Sequence, residues 1–125
     1  MKVLGIDFGE KRIGLAISDE LKMLARPLQI YSPDEFWETI EQELKENQVE
    51  KVVVGLPINM SGGDTPQTIK TREFAQKLEN DIGIPVEMQD ERLTSKMVES
   101  NDPTQHRDDQ AAALILQSYL DKTKK

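Results

Sequence analysis

Acidic residues fall at positions in this 125-residue chain where a fold could bring them together. Asp7 ends the apolar run Val3-Leu4-Gly5-Ile6, so a strand formed by that run would carry a carboxylate to its own carboxyl end. Glu91 follows the alternating segment Val86 to Asp90. Asp108 and Asp109 stand at the start of a helical pattern, where the helix dipole favours ionised acids. Each acid alone has an ordinary role as a turn former, a surface ion-pair partner of Arg92 or Lys96, or a helix cap. Three such acids meeting at one sheet edge would be different. Like charges packed closely repel strongly unless a divalent cation neutralises them. The chemistry that suits such a cluster is two-metal phosphodiester hydrolysis, with cations roughly 3.5–4 Å apart activating a water and stabilising the leaving oxygen. The candidate metal-holding and catalytic acids are therefore Asp7, Glu91 and either Asp108 or Asp109.

Composition narrows the choice of metal. The chain has no cysteine, which excludes disulfides, thiolate nucleophiles and thiolate zinc sites, and its single histidine, His106, excludes a multi-histidine cage. Oxygen ligands remain, and they select Mg²⁺ or Mn²⁺. The net charge of −7 opposes binding to a polyphosphate. Carboxylates that bind cations are neutralised when loaded, and local positive charge is available at Lys11, Arg12, Lys22, Arg26, Lys70, Arg72, Arg92 and Lys96. No apolar run approaches the roughly 20 residues of a membrane span, and the opening residues lack a signal-peptide layout. A cytoplasmic location with no membrane partner is expected.

The elements that must position these acids follow from periodicity. Lys2 to Phe8 and Arg12 to Ser18 read as two strands joined by a hairpin at Gly9-Glu10-Lys11, and Met23 to Ile30 as a third, at a sheet edge because of Pro27. Ser32-Pro33-Asp34-Glu35 has the form of a capping box, and Phe36, Trp37, Ile40 and Leu44 continue a helix to about Asn47. The run Val52-Val53-Val54-Gly55 is apolar throughout and predicts a strand covered on both faces. After a loop from Pro57 to Asp64, Thr65-Pro66 opens a helix whose inner face is read as Ile69, Phe74, Ala75, Leu78 and Ile82. Val86 to Asp90 is the last strand, and Thr94 to Ser100 can form a short helix. Ala111, Ala112, Ile115, Tyr119 and Leu120 mark the final helix, and Lys122 to Lys125 a frayed tail. One α/β domain over residues 1–125 is expected, with a mixed five-stranded sheet: three antiparallel strands, then two parallel ones, flanked by helices. Sites in such sheets form at the carboxyl ends of the strands. Glu91 would then lie two strands from Asp7, and its side chain would have to reach back.

Four blocks in order carry a specific resemblance. They are Gly5-Ile6-Asp7-Phe8-Gly9-Glu10-Lys11-Arg12-Ile13-Gly14, then Val53-Val54-Gly55-Leu56-Pro57 with Asn59-Met60 and Gly62, then Asp90-Glu91-Arg92-Leu93-Thr94-Ser95, and Asp108-Asp109-Gln110-Ala111 through Leu120. Together they resemble the YqgF (RuvX) family of pre-16S rRNA nucleases and Holliday junction resolvase homologues, over nearly the whole chain. The resemblance implies an RNase H-like fold and a metal-dependent nuclease acting on structured nucleic acid, a rRNA precursor or branched DNA, as a monomer or homodimer. It implies Asp7, Glu91 and Asp108 as catalytic and metal-binding acids, with Asp109 the adjacent alternative. It also implies Lys11, Arg12, Arg92 and Thr94 as substrate contacts. Where the family usually has Thr or Ser, this chain has Glu10. Two other readings remain at this stage: a non-catalytic RNA-binding module, and a fragment of an actin-like ATPase, whose phosphate-binding turn Asp7-Phe8-Gly9 also resembles.

Overall fold

The computed structural model describes residues 1–59, 61–91 and 108–123, with the backbone alone at Asp108 and Asp109. The expected short helix at Thr94 to Ser100, His106, Arg92 and Thr94 lie outside the described residues. The strands are β1 (Lys2–Phe8), β2 (Ile13–Ser18), β3 (Ala25–Tyr31), β4 (Val49–Leu56) and β5 (Val86–Asp90). The helices are α1 (Pro33–Glu46), α2 (Pro66–Ile82) and α3 (Asp108–Thr123). The sheet order is β3-β2-β1-β4-β5, with β1 antiparallel to β2, β2 antiparallel to β3, and β4 and β5 running parallel to β1. The first strand is thus the central one, as its unbroken apolar run requires.

Each face of the sheet has its own core. Leu4, Ile6, Ile13, Leu15, Ile17, Val52 and Val54 point to one side, where Phe36, Ile40 and Leu44 of α1 and Phe74, Ala75 and Leu78 of α2 cover them. Val3, Ala16 and Val53 point to the other, beneath Ala112, Ile115, Leu116, Tyr119 and Leu120 of α3. Alternation along β1 therefore sends Val3, Gly5 and Asp7 to the α3 side. Phe8, the next residue, is anchored on the opposite side, stacked on Phe74 with ring centroids 4.4 Å apart. The strand end that carries Asp7 is held by that contact.

The caps form as the sequence dictates. Ser32 Oγ accepts from Glu35 N at 3.3 Å while Ser32 N donates to Glu35 Oε1 at 3.0 Å, a reciprocal capping box with Pro33 at the first helical position. Thr65 and Thr68 do the same for α2, which ends at Gly83 with φ of 68°. Two readings need correction. Ile69 is 52% exposed, and the buried α2 residues are Thr68, Thr71, Phe74, Ala75 and Leu78. The Thr68 hydroxyl donates to the Pro57 carbonyl, so a polar residue can occupy the inner face and the apolar neighbour is turned outward. The third strand starts at Ala25 instead of Met23, because Asp19 Oδ1 accepts from Met23 N at 2.8 Å and Leu24 N at 3.2 Å. Those amides close a turn and leave Leu24 67% exposed. Pro27 lies on the edge strand, where its missing N–H leaves no central ladder bond unmade.

Candidate active site

At the carboxyl edge of the sheet, β1 and β4 are paired through Ile6 and Val54, so Asp7 sits level with Gly55. Gly55 in turn pairs with Gln89 of β5, and Glu91 follows the end of that strand. Glu91 is thus separated from Asp7 by the whole of β4. Its side chain lies back over β4, with Cγ and Cδ against the α-carbon of Gly55 on the α3 side, the side to which Asp7 also points. Burial, then the charge of Asp7, then that of Asp90, raises the Glu91 carboxyl from the ordinary 4.5 to about 7. The two acids that stand 84 positions apart in sequence are therefore within electrostatic reach of each other. A hard cation placed between such acids would relieve their mutual repulsion.

The third acid was expected from the start of the last helix. α3 packs tightly on β1 at Gly5, where an added Cβ would meet Leu116 Cβ at 2.7 Å and the Ala112 carbonyl oxygen at 3.1 Å. Ile115 lies over Gly55, and Tyr119 OH accepts from Lys51 Nζ at 2.9 Å near the start of β4. The helix therefore runs opposite to β1 and β4, and its first residue opens toward the carboxyl edge. Polar contacts hold it in place. Gln117 Oε1 accepts from Ala25 N at 2.8 Å, the buried Gln89 donates to Ser118 Oγ at 3.2 Å, and Lys122 Nζ donates to Gln89 Oε1 at 3.1 Å. Among the described residues no group of three or more His, Cys, Asp or Glu forms a metal cage.

An open groove of about 490 Å³ adjoins Asp7 and is lined by Asp7, Gly9, Glu10, Lys11, Arg12 and Gln67. Lys11 and Arg12 thus face the same cleft as the central acid. Glu10 is tied across the groove mouth to Lys70 of α2 at 2.8 Å, and that pairing holds the Glu10 carboxyl below its usual range. Lys22 and Arg72, both counted as local positive charge, also meet carboxylates, Glu50 at 2.7 Å and Asp64 at 3.0 Å. A second groove of about 520 Å³, lined by Met1, Leu44, Lys45, Gln48, Val49 and Ile84, opens near the starts of β1 and β4. It has no carboxylate in its lining and so no acid chemistry of the kind sought. Among the described residues no helix is long and apolar enough to cross a membrane.

The family model of RuvX, described as Holliday junction resolvase, matches residues 1–122. The chain belongs to the RuvX family. Its relatives include a protein of Dictyoglomus thermophilum that is 38% identical, the match covering 98% of this chain and 97% of that protein. One from Syntrophomonas wolfei is 42% identical, with 97% and 94% covered. Both are named as candidate pre-16S rRNA nucleases. Among solved structures, Thermus thermophilus RuvC in complex with a Holliday junction substrate superposes with a TM-score of 0.60 at 17% identity, covering 96% of this chain and 93% of that one. The Fowlpox virus resolvase bound to Holliday junction DNA gives 0.56 at 16% identity, with 100% of both chains covered. The architecture expected of a RuvX protein is the one observed, an RNase H-like fold with a mixed five-stranded sheet flanked by helices.

Signal for Asp7 and Glu91 was present in the sequence. What sequence reasoning passed over was Gln89, within the alternating segment Val86 to Asp90. It is 2% exposed and joins β5 to α3. A single polar residue in a short amphipathic strand gives no signal that distinguishes a buried connector from a solvated position.

Proposed function

We propose that this chain is a divalent-metal-dependent nuclease that hydrolyses phosphodiester bonds of structured nucleic acid, that Asp7, Glu91 and Asp108 hold the metal, and that its substrate is precursor 16S rRNA. The observation that carries the proposal is the folding of Glu91 back across β4 into the field of Asp7, with its carboxyl raised to about 7. Here burial and two neighbouring acids act in the same direction, which is the environment of a cation site and not of a surface acid.

Backbone geometry supports the start of α3, Asp108 or the adjacent Asp109, as the source of the third ligand. Asp7 lies two residues beyond Gly5, an advance of about 6.6 Å along a strand. Asp108 lies four residues before Ala112 and eight before Leu116, the two helix residues against Gly5, an advance of about 6 to 12 Å along a helix running the opposite way. Both elements therefore carry an acid toward the carboxyl edge. Helical register suits both acids, Asp108 with Ala112 and Leu116 four and eight residues on and Asp109 with the same two residues three and seven on, so Asp108 is assigned through the family motif.

The donor set, all carboxylate, fits Mg²⁺ or Mn²⁺. Bound there, the metal would supply Lewis-acid activation of water and neutralise charge at the scissile phosphate. The chain's own contribution is positional. Asp7 is fixed by a strand paired on both sides, and Glu91 closes over it from β5. Lys11 and Arg12 meet backbone phosphates in the adjoining groove, Arg by its bidentate fork. Arg92 and Thr94, which follow Glu91 in sequence, are assigned to the substrate backbone through the family motif. The rRNA precursor is proposed from the relatives' names, and a DNA junction from the family's description.

The test is cleavage of a precursor 16S rRNA fragment and of a four-way DNA junction, with Mg²⁺, Mn²⁺ or EDTA, by the wild type and Asp7→Asn. Loss of metal-dependent RNA cleavage in Asp7→Asn is expected, by a factor on the order of a thousand or more. Cleavage of the junction alone would transfer the proposal to recombination. Equal activity in both proteins would remove the catalytic assignment, and RNA binding without cleavage would indicate a binding module.

A further inference from the structure

We infer that Gly55 is a positioning residue of the nuclease site: the missing side chain of β4 is the passage through which Glu91 reaches Asp7. This rests on the reading of Asp7 and Glu91 as metal ligands. β1 and β5 are separated by β4, so their backbones are roughly 9–10 Å apart, two interstrand spacings. A glutamate can act beside Asp7 across that distance only by lying flat over the intervening strand. The residue of β4 in its path is Gly55. A Cβ built there would stand 3.0 Å from both Cγ and Cδ of Glu91, tighter than nearly all real Cβ contacts so that Glu91 must give way, and 2.4 Å from Cδ1 of Ile115.

The two contacts differ in what can move. Gly55 cannot retreat, because its strand is hydrogen-bonded to β1 on one side and β5 on the other, pairing at Val54–Ile6 and Gly55–Gln89. Ile115 is fully buried and held in the α3 core, so it can shift only at the cost of overpacking. Glu91 is the neighbour whose side chain can give way, and doing so shifts its carboxylate out of its position beside Asp7. An alanine at Gly55 therefore acts twice, on stability through Ile115 and on the site through Glu91. Any account of Gly55 as a packing residue alone explains only the first.

The experiment measures Mn²⁺ affinity by isothermal titration calorimetry, with thermal melts recorded in parallel, in full-length Glu91→Gln, Gly55→Ala, Gly55→Ala/Ile115→Val and Glu91→Asp. Ile115→Val deletes the clashing Cδ1, so the double variant regains the melting temperature lost by Gly55→Ala. It is nonetheless expected to bind Mn²⁺ about 10- to 100-fold more weakly than the wild type, as when a metal ligand's support is lost. Placing Gly55→Ala/Ile115→Val in the Glu91→Gln background should weaken Mn²⁺ binding no further. Glu91→Asp leaves β4 untouched and lacks the methylene needed to cross it, so its affinity should match that of Glu91→Gln. Wild-type affinity in the double variant, or in Glu91→Asp, overturns the inference. Wild-type affinity in Glu91→Gln itself overturns instead the assignment of Glu91 as a ligand.

Discussion

Replacing Glu91 by glutamine should make the metal-free protein more stable, and the gain should appear only as the pH rises. A carboxyl lifted from 4.5 to about 7 disfavours its ionised form by about 3 kcal/mol, at about 1.36 kcal/mol per pKa unit. The folded-state value is above the unfolded one. Glu91 therefore costs nothing below about 4.5, where it is protonated in both states, and progressively destabilises the fold as pH rises through about 7. Glutamine keeps the shape and never ionises. In EDTA, the wild type and Glu91→Gln should have similar urea midpoints near pH 4.5, and the variant should lead by up to about 3 kcal/mol at pH 8, a difference in melting temperature on the order of 10 °C. Titrating groups away from Glu91 are common to both proteins and cancel in the difference, leaving Glu91 and the two acids that act on it, Asp7 and Asp90. Adding Mn²⁺ at pH 8 to about 100 times its Kd should return about 2.7 kcal/mol to the wild type and less to the variant, closing the gap. A stability difference that stays constant from pH 5 to 8 would refute the reasoning, since neither burial nor Asp7 would then be loading the Glu91 carboxylate.

The substrate groove and the first helix give further expectations. In Asp7→Asn protein, which binds without cutting, Lys11→Ala and Arg12→Ala should each weaken RNA binding irrespective of sequence and reduce the slope of log K against log salt by about one, as read from a fluorescence titration series. An unchanged slope would mean that neither side chain meets phosphate. Ser32→Ala removes the side-chain half of the α1 capping box and should lower stability by about 0.5–2 kcal/mol in urea denaturation, with no effect on Mn²⁺ affinity.

Much of this fold can be read from the sequence because its signals are local and agree with one another. The apolar run before Asp7, the capping residues Ser32 and Thr65, and Gly83 after α2 each decide an element boundary within a few residues of themselves. Misreadings arose where a side chain competed with the backbone pattern. Asp19 captured two amides that periodicity assigned to a strand, and Thr68 found a carbonyl partner that let it displace Ile69 from the helix interior. The site was legible in part. Asp7 and Glu91 could be singled out by their strand-end positions, but their approach depends on which residue of a third strand lies between them. That residue is a glycine inside a continuous apolar run, and its meaning comes from register, which no local pattern encodes.

The charge balance of the chain also takes a more definite form in three dimensions. Of the basic residues that could have offset a net charge of −7, Lys22, Lys70 and Arg72 are engaged with Glu50, Glu10 and Asp64. Exposed pairs of this kind add little stability, yet they cancel much of the field a phosphate backbone would meet. Glu10 does this at the mouth of the groove itself, holding Lys70 beside Lys11 and Arg12. With Asp7, Glu91 and Asp108 as metal ligands, as proposed, attraction for nucleic acid would depend on Lys11 and Arg12 in the cleft and on the ions those acids would hold. On this reading the acids that would hold the metal serve binding as well as hydrolysis, because a bound cation would neutralise the most repulsive part of the groove, where the scissile phosphate would be received.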